Sequence, residues 1–236
     1  MKNLYLILNL GSIIIPFIFS FHPKLKFNKE FKYAWPAIFI VAIGFIVWDM
    51  YFTHLGVWGF NPKYHSGIEF NGLPLEEILF FICIPFSCLF TYHCLNKLVN
   101  KDIFLVGEKY ASYSLIVFLI IMGAFSFGKL YTFSTFSALL VCIILIKFVL
   151  KVDWLSRFYF SYSVLLIPFT IVNGVLTGTG IPEPVVWYNN SENLAIRFLT
   201  IPIEDVFYGM MLILLNVAVF EYLQKRFKKS EVGGEG

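Results

Sequence analysis

Two short acidic motifs hold most of the chemistry this sequence can offer. Leu73-Pro74-Leu75-Glu76-Glu77 opens one long apolar run, and Ile201-Pro202-Ile203-Glu204-Asp205 opens another. Proline is at ease in the first turn of a helix, where its missing N–H would be unpaired anyway, so Pro74 and Pro202 read as helix starts. Glu76, Glu77, Glu204 and Asp205 then fall in first turns. Acids there can simply complement the helix macrodipole, for ~0.3–1 kcal/mol. Where the helix enters a membrane, ionisable groups are costly and are functional candidates by default. Carboxyls in apolar surroundings resist ionisation and a neighbouring acid adds repulsion, so one of a pair can keep its proton near neutral pH. Such a proton can go to an electron-rich alkene. Aromatic faces can stabilise the carbocation that results without trapping it. A second carboxylate can then remove a proton from the product, and no electrons are transferred.

The elements that must position these acids are membrane helices. The chain has 236 residues, 58% hydrophobic and only 14% charged, with a mean hydropathy of +0.76. Soluble domains carry about 25% charged residues. Seven apolar runs approach the ~20 residues a span needs: Leu4–Phe21, Tyr33–Phe52, Leu75–Leu95, Tyr113–Phe127, Leu130–Leu150, Phe158–Leu176 and Ile203–Leu223. The first has no small-x-small cleavage site after it and reads as a retained span. The expected fold is therefore an all-α integral membrane protein. A net charge of +3 with scattered Lys and Arg argues against nucleic-acid binding. Cys83, Cys88, Cys94 and Cys142 lie in apolar runs without C-x-x-C spacing, and His22, His54, His65 and His93 lack H-x-x-x-H pairing. Neither disulfides nor a metal site is expected.

Loop charge sets the orientation. Segments 22–32, 96–112, 151–157 and 224–236 hold thirteen of the eighteen Lys and Arg. The positive-inside rule puts them in the cytoplasm of an inner-membrane protein, the N-terminus outside and both acidic motifs on the outer side. The chain also repeats. Asp49-x-x-x-Thr53-x-x-Gly56, Trp58 and Pro74 correspond to Asn173-x-x-x-Thr177-x-x-Gly180, Trp187 and Pro202, offset by 124 residues at the first element and 128 at the last. Spans 1–3 and 5–7 read as two parallel three-helix units (residues 1–100 and 130–236) joined by a linker helix within 101–129. The loops His54–Leu73 and Thr177–Ile201 are rich in aromatics, among them Trp58, Phe60, Trp187 and Tyr188. They read either as an interfacial belt or as a lid over the acids. Asp49, near the end of a span, is either a structural partner or a member of the acid site. Arg197 reads as a headgroup anchor, and Gly174–Gly180 as a helix terminator.

These motifs carry a resemblance. Asp49-x-x-x-Thr53-His54-Leu55-Gly56-Val57-Trp58-Gly59-Phe60-Asn61-Pro62, continuing to Leu73-Pro74-Leu75-Glu76-Glu77-x-x-Phe80-Phe81, resembles the first half of the small membrane lycopene cyclases. Val172-Asn173-Gly174-Val175-Leu176-Thr177-Gly178, Val186-Trp187-Tyr188-Asn189, Arg197 and Ile201-Pro202-Ile203-Glu204-Asp205-x-x-Tyr208-Gly209 resemble the second. That family occurs as paired subunits, as fused tandem chains and as the cyclase domain of bifunctional fungal carotenoid enzymes. This chain is similar to the fused form over nearly its whole length. The resemblance implies cyclisation of the ψ ends of lycopene, or another linear carotenoid taken from the bilayer, to β-ionone rings, giving γ-carotene and then β-carotene. It implies Glu76, Glu77, Glu204 and Asp205 as catalytic acids, and Asp49, Trp58, Phe60, Phe80, Phe81, Asn173, Trp187 and Tyr208 around the substrate. Other carotenoid enzymes are implied as neighbours.

No strand–G-x-G-x-x-G–helix unit is present, so no dinucleotide cofactor is expected. An auxiliary reduced nicotinamide or flavin is left open. Competing classes fit less well. A retinal protein would need a Schiff-base lysine in the last span, and Ile203–Leu223 has none. A diphosphate-using prenyltransferase would need Asp-rich pairs. A small carrier can be built from parallel repeats but would set polar groups at span centres that here are mostly Leu, Ile, Val and Phe. A scaffold for carotenoid enzymes leaves the acids without work.

Overall fold

A computed structural model describes residues 2–233, with side chains through Phe227; residues 234–236 of the polar tail lie outside the described residues. Among the described residues seven α-helices follow one another: α1 (Leu4–Phe19), α2 (Phe31–His54), α3 (Leu75–Leu98), α4 (Glu108–Phe125), α5 (Leu130–Ile144), α6 (Leu155–Leu176) and α7 (Ile203–Gly233). A π-helical turn, Leu145–Val149, extends α5. All but α1 are long and apolar enough to cross a membrane. Helix α1 has sixteen residues and stops at Ser20, whose hydroxyl donates back to the Pro16 carbonyl. Apolar side chains turn outward along the bundle, among them Ile15, Ile40, Ile43, Val117, Val141, Ile167 and Ile171. In lipid that is the expected outer face, because helices satisfy their own backbone groups and need no polar coat. The chain is an all-α integral membrane protein.

The two halves pack alike. Helix α1 lies against α3 and α5 against α7, while α2 packs on α7 and α3 on α6 across the halves. Helix α4 packs on α5 and is tied there by polar groups. The Lys147 ammonium reaches Glu108 at 2.6 Å across the two helices, and within α4 the Ser112 hydroxyl holds the same carboxylate at 2.7 Å. A core of Phe27, Ile38, Phe86, Leu89, Phe136, Leu139, Phe158 and Val217 fills the centre.

The loops before α3 and α7 carry three short two-stranded ribbons that helix periodicity does not announce. Strands β2 (Glu69–Phe70) and β3 (Leu73–Pro74) form a hairpin, as do β5 (Arg197–Phe198) and β6 (Ile201–Pro202). The first turns through Asn71 and Gly72 at φ 51° and 80°, the Asn-Gly chemistry a tight hairpin favours. Strands β1 (Trp58–Phe60) and β4 (Val186–Tyr188) pair antiparallel between the halves, with Gly59 opposite Trp187. Pro74 and Pro202 end strands one residue before their helices, not inside the first turn. Each hairpin supplies the carbonyl, Ile68 or Ile196, that accepts the first helical N–H at 2.9 or 3.0 Å.

Candidate active site

The four motif acids are all buried, yet adjacent acids diverge. Neighbours on a helix point about 100° apart, so one acid of each pair turns into the bundle and the other turns toward its own loop. Glu76 Oε1 accepts the Ser66 N–H at 2.7 Å. Glu204 Oε1 accepts the Leu194 N–H at 2.7 Å and the Thr132 hydroxyl at 2.6 Å. Residues 66 and 194 differ by 128, as do 76 and 204, so the two halves build the same loop anchor. Glu76 and Glu204 do not line the cavity. Of the four acids that the resemblance implies as catalytic, the pocket lining holds Glu77 and Asp205.

Glu77 and Asp205 face one pocket formed by both halves, with about 700 Å³ of empty space, its open mouth included. Asp49, Trp58, Phe60, Phe80, Phe81, Asn173 and Tyr208 also line it. Of the substrate-contact residues expected from sequence, Trp187 alone does not. Residues alternate across a strand, so Trp58, Phe60, Val186 and Tyr188 face the pocket while Gly59 and Trp187 turn away. The Trp187 ring lies over Gly59, where a Cβ would come within 2.3 Å of it. Gly59 is required by this close approach. The inter-half ribbon is thus a lid whose inner face is aromatic. Arg197 is no free anchor. Its guanidinium donates to Thr200 O at 2.8 Å and Asn190 Oδ1 at 2.9 Å, bracing the second loop.

The polar surroundings of the two inward acids differ. Glu77 accepts the Tyr5 hydroxyl, and Asp49 accepts the Trp58 indole N–H on Oδ1 while its buried Oδ2 meets no protein donor. A buried carboxyl oxygen that no donor reaches is a place where a proton can sit, since a protonated carboxyl is itself a donor. Asp205 has neutral donors instead: Tyr131 Oη at 2.6 Å, Asn173 Nδ2 at 2.8 Å and Tyr188 Oη at 2.9 Å. Three donors suit a carboxylate, which only accepts. Burial, with Asp205 alongside, holds the Tyr188 phenol well above its usual range, so it remains a donor. The repeat positions explain the difference. Asp49 in the first half is Asn173 in the second, a carboxyl exchanged for an amide.

Aromatic rings surround the space between these groups. Around Trp58, ring centroids of Phe52, Tyr131, Tyr188 and Tyr208 lie at 5.0, 5.1, 6.2 and 6.2 Å. Tyr5 and Tyr131 are site residues that motif reading missed. They sit early in α1 and α5, outside both motifs, and extending the repeat comparison to span starts is the signal that finds them. Their backbones confirm the match: the Tyr5 N–H donates to Tyr64 O at 3.1 Å and the Tyr131 N–H to Glu192 O at 2.9 Å.

A membrane bundle made of two like halves, with acids and aromatic rings enclosed between them, defines the class of protein. Residues 2–95 and 128–223 match the sequence model of the lycopene cyclase family, and the chain belongs to that family. Its role is that of a carotenoid cyclase. No curated protein and no solved structure matches the chain.

Proposed function

We propose that the chain is a lycopene β-cyclase, an isomerase of the intramolecular-lyase type, in which the Asp49–Glu77 pair is the acid and Asp205 the base. The observation that carries this is the unequal environment of three carboxyls in one aromatic pocket. A proton held by the Asp49–Glu77 pair passes to the terminal double bond of a ψ end, leaving a tertiary cation. A nearby double bond of the same end attacks it, closing the six-membered ring and moving the charge to a ring carbon. Loss of the adjacent ring proton to Asp205 forms the ring double bond. The pair loses one proton, Asp205 gains one, and substrate and product have the same formula. Proton transfer between the acids restores the starting state. Faces of Trp58, Phe80, Phe81, Tyr188 and Tyr208 stabilise the passing cation. Lycopene ends are identical, so one pocket serves both in turn, and monocyclic γ-carotene appears before β-carotene. Glu76 and Glu204 hold the loops that carry the lid.

The finer topology belongs to the same proposal: the inner membrane, N-terminus outside, C-terminus cytoplasmic, with the acids at the outer boundary. Reporter fusions at the C-terminus and in the His54–Leu73 loop test it, and a cytoplasmic signal from that loop would invert it. The reaction is tested in a lycopene-accumulating bacterial host expressing the chain. β-Carotene by chromatography is the expected product. Unchanged lycopene, with the protein present in the membrane, would refute the assignment and leave a carrier or scaffold. Rings of another type would refute the β specificity.

A further inference from the structure

We infer that the polyene chain leaves the pocket on one side only, through an apolar tail between α3, α6 and α7 that Gly209 keeps open. This deepens the cyclase proposal and rests on it. Beyond the acids the pocket continues along Phe81, Ile84, Phe169, Gly209, Leu212 and Ile213. From Asp205 to Ile213 is eight residues, roughly 12 Å at 1.5 Å per residue toward the bilayer interior. Ile84, Phe169 and Gly209 are only half-buried, so this end reaches the lipid-facing surface.

The corresponding route in the first half is shut. By the offset that relates Asp49 to Asn173, Phe169 matches Phe45; by the offset that relates Glu77 to Asp205, Gly209 matches Phe81. Phe45 and Phe81 are 4% and 2% exposed. Their ring centroids are 5.9 Å apart, and Tyr208 closes on Phe45 at 5.2 Å. Where the first half has two rings in contact, the second has one ring facing a glycine. A Cβ at Gly209 would meet Phe169 Cε2 at 3.5 Å, ordinary contact, so a methyl fits and a larger group fills the tail. Gly209 sits in a regular helix without the positive φ that demands glycine elsewhere. A glycine in a helix interior weakens it, and what it provides here is space continuous with the acids. The only part of a linear carotenoid that must cross from pocket to bilayer is its chain. Gly209 is therefore a specificity-determining position, admitting an end group whose long chain stays in lipid.

The experiment uses the full-length protein purified in detergent, with lycopene as the probe. Bound pigment is read by visible absorption, and rings are read after reconstitution in lycopene-containing vesicles. Gly209→Phe, which copies the first half, should lower both about tenfold or more, whereas Gly209→Ala should stay within about twofold. Phe169→Ala added to Gly209→Phe should restore pigment binding by reopening the tail. Ile84→Trp, filling the tail from α3, carries the test if Gly209→Phe does not accumulate. A rival route is the shallow groove on α2 and α5 lined by Gly44, Val47, Trp48, Tyr51, Phe52 and Ser134. Gly44→Phe should leave binding and rings unchanged. The inference is overturned if Gly209→Phe or Ile84→Trp, at wild-type protein level, binds and cyclises normally, or if Gly44→Phe alone blocks both. Lycopene binding that depends on Gly209 without any ring formation would refute the cyclase reaction and keep the tail. Ring formation indifferent to Gly209 would do the reverse.

Discussion

Glu204 and Asp205 are adjacent on one helix, and replacing each with its amide should have opposite consequences. Glu204 Oε1 takes both donors, Thr132 at 2.6 Å and Leu194 N–H at 2.7 Å, while Oε2 has no protein donor. In Glu204→Gln the amide nitrogen can occupy the Oε2 position and both hydrogen bonds survive, losing charge assistance and burying an NH₂ without an acceptor, which adds ~1–3 kcal/mol. Bonds to charged groups are worth ~1.5–3 kcal/mol against ~0.5–1.5 for neutral ones, so the two together cost about 2 kcal/mol of stability. Activity per folded molecule should stay within about threefold. Asp205 has no idle oxygen, because Oδ1 takes Tyr131 and Oδ2 takes Asn173 and Tyr188. In Asp205→Asn an NH₂ must face at least one donor, and the base is gone. General acid–base groups contribute about 10²–10⁴-fold, and that is the expected loss of rate. The assay is ring formation in membranes of a lycopene-accumulating host, normalised to the cyclase by immunoblot. Glu204→Ala separates the roles further, since two unpaired donors at ~1–3 kcal/mol each should deplete the protein itself. If Glu204→Gln were as inactive as Asp205→Asn at normal protein level, the division between loop anchor and base would be wrong.

The remaining predictions follow the same geometry. Asp49→Asn makes the first half copy the second and removes one carboxyl of the proposed acid pair, so ring formation should fall about 10²-fold or more with protein level kept; retention of full activity would remove Asp49 from the acid. Tyr188→Phe deletes one of three donors to Asp205 and should slow ring formation about ten- to a hundredfold, the equivalent of one bond to a charged group at ~1.5–3 kcal/mol; an unchanged rate would show that this donor does not tune the base. Gly59→Ala drives a methyl into the Trp187 ring and should lower the melting temperature of the purified protein, with Trp187→Leu restoring it; unchanged melting for Gly59→Ala would mean that the ribbon relaxes freely.

Much of this site was legible because it rests on local patterns. The apolar runs located every helix, since a span must satisfy its own backbone and leaves an uninterrupted hydrophobic signal. The doubled Pro-x-acid-acid motif located the first turns of α3 and α7, and the repeat set Asp49 against Asn173. What stayed hidden was the direction of side chains. Glu76 and Glu77 are indistinguishable by type and spacing, and only the placement of Ser66 N–H decides which of them turns to the loop. The β1–β4 pairing joins residues 58–60 to 186–188, a contact between halves that no local periodicity encodes. Pro74 was displaced by one position because a hairpin carbonyl, not the helix itself, receives the first N–H. Gly209 shows its meaning only when set against Phe81 in the folded repeat.

The central claim is that ring closure begins with a proton from the protein and ends with the loss of another, without electron transfer. Cyclisation run in heavy water, with mass spectrometry of the pigments, tests it most directly. Exchangeable carboxyl protons become deuterons, so each ring should carry one deuterium. γ-Carotene should then be one mass unit and β-carotene two mass units above their unlabelled forms, and recovered lycopene should be unlabelled. Rings formed without solvent deuterium, or a product differing from lycopene by two hydrogens, would contradict the account.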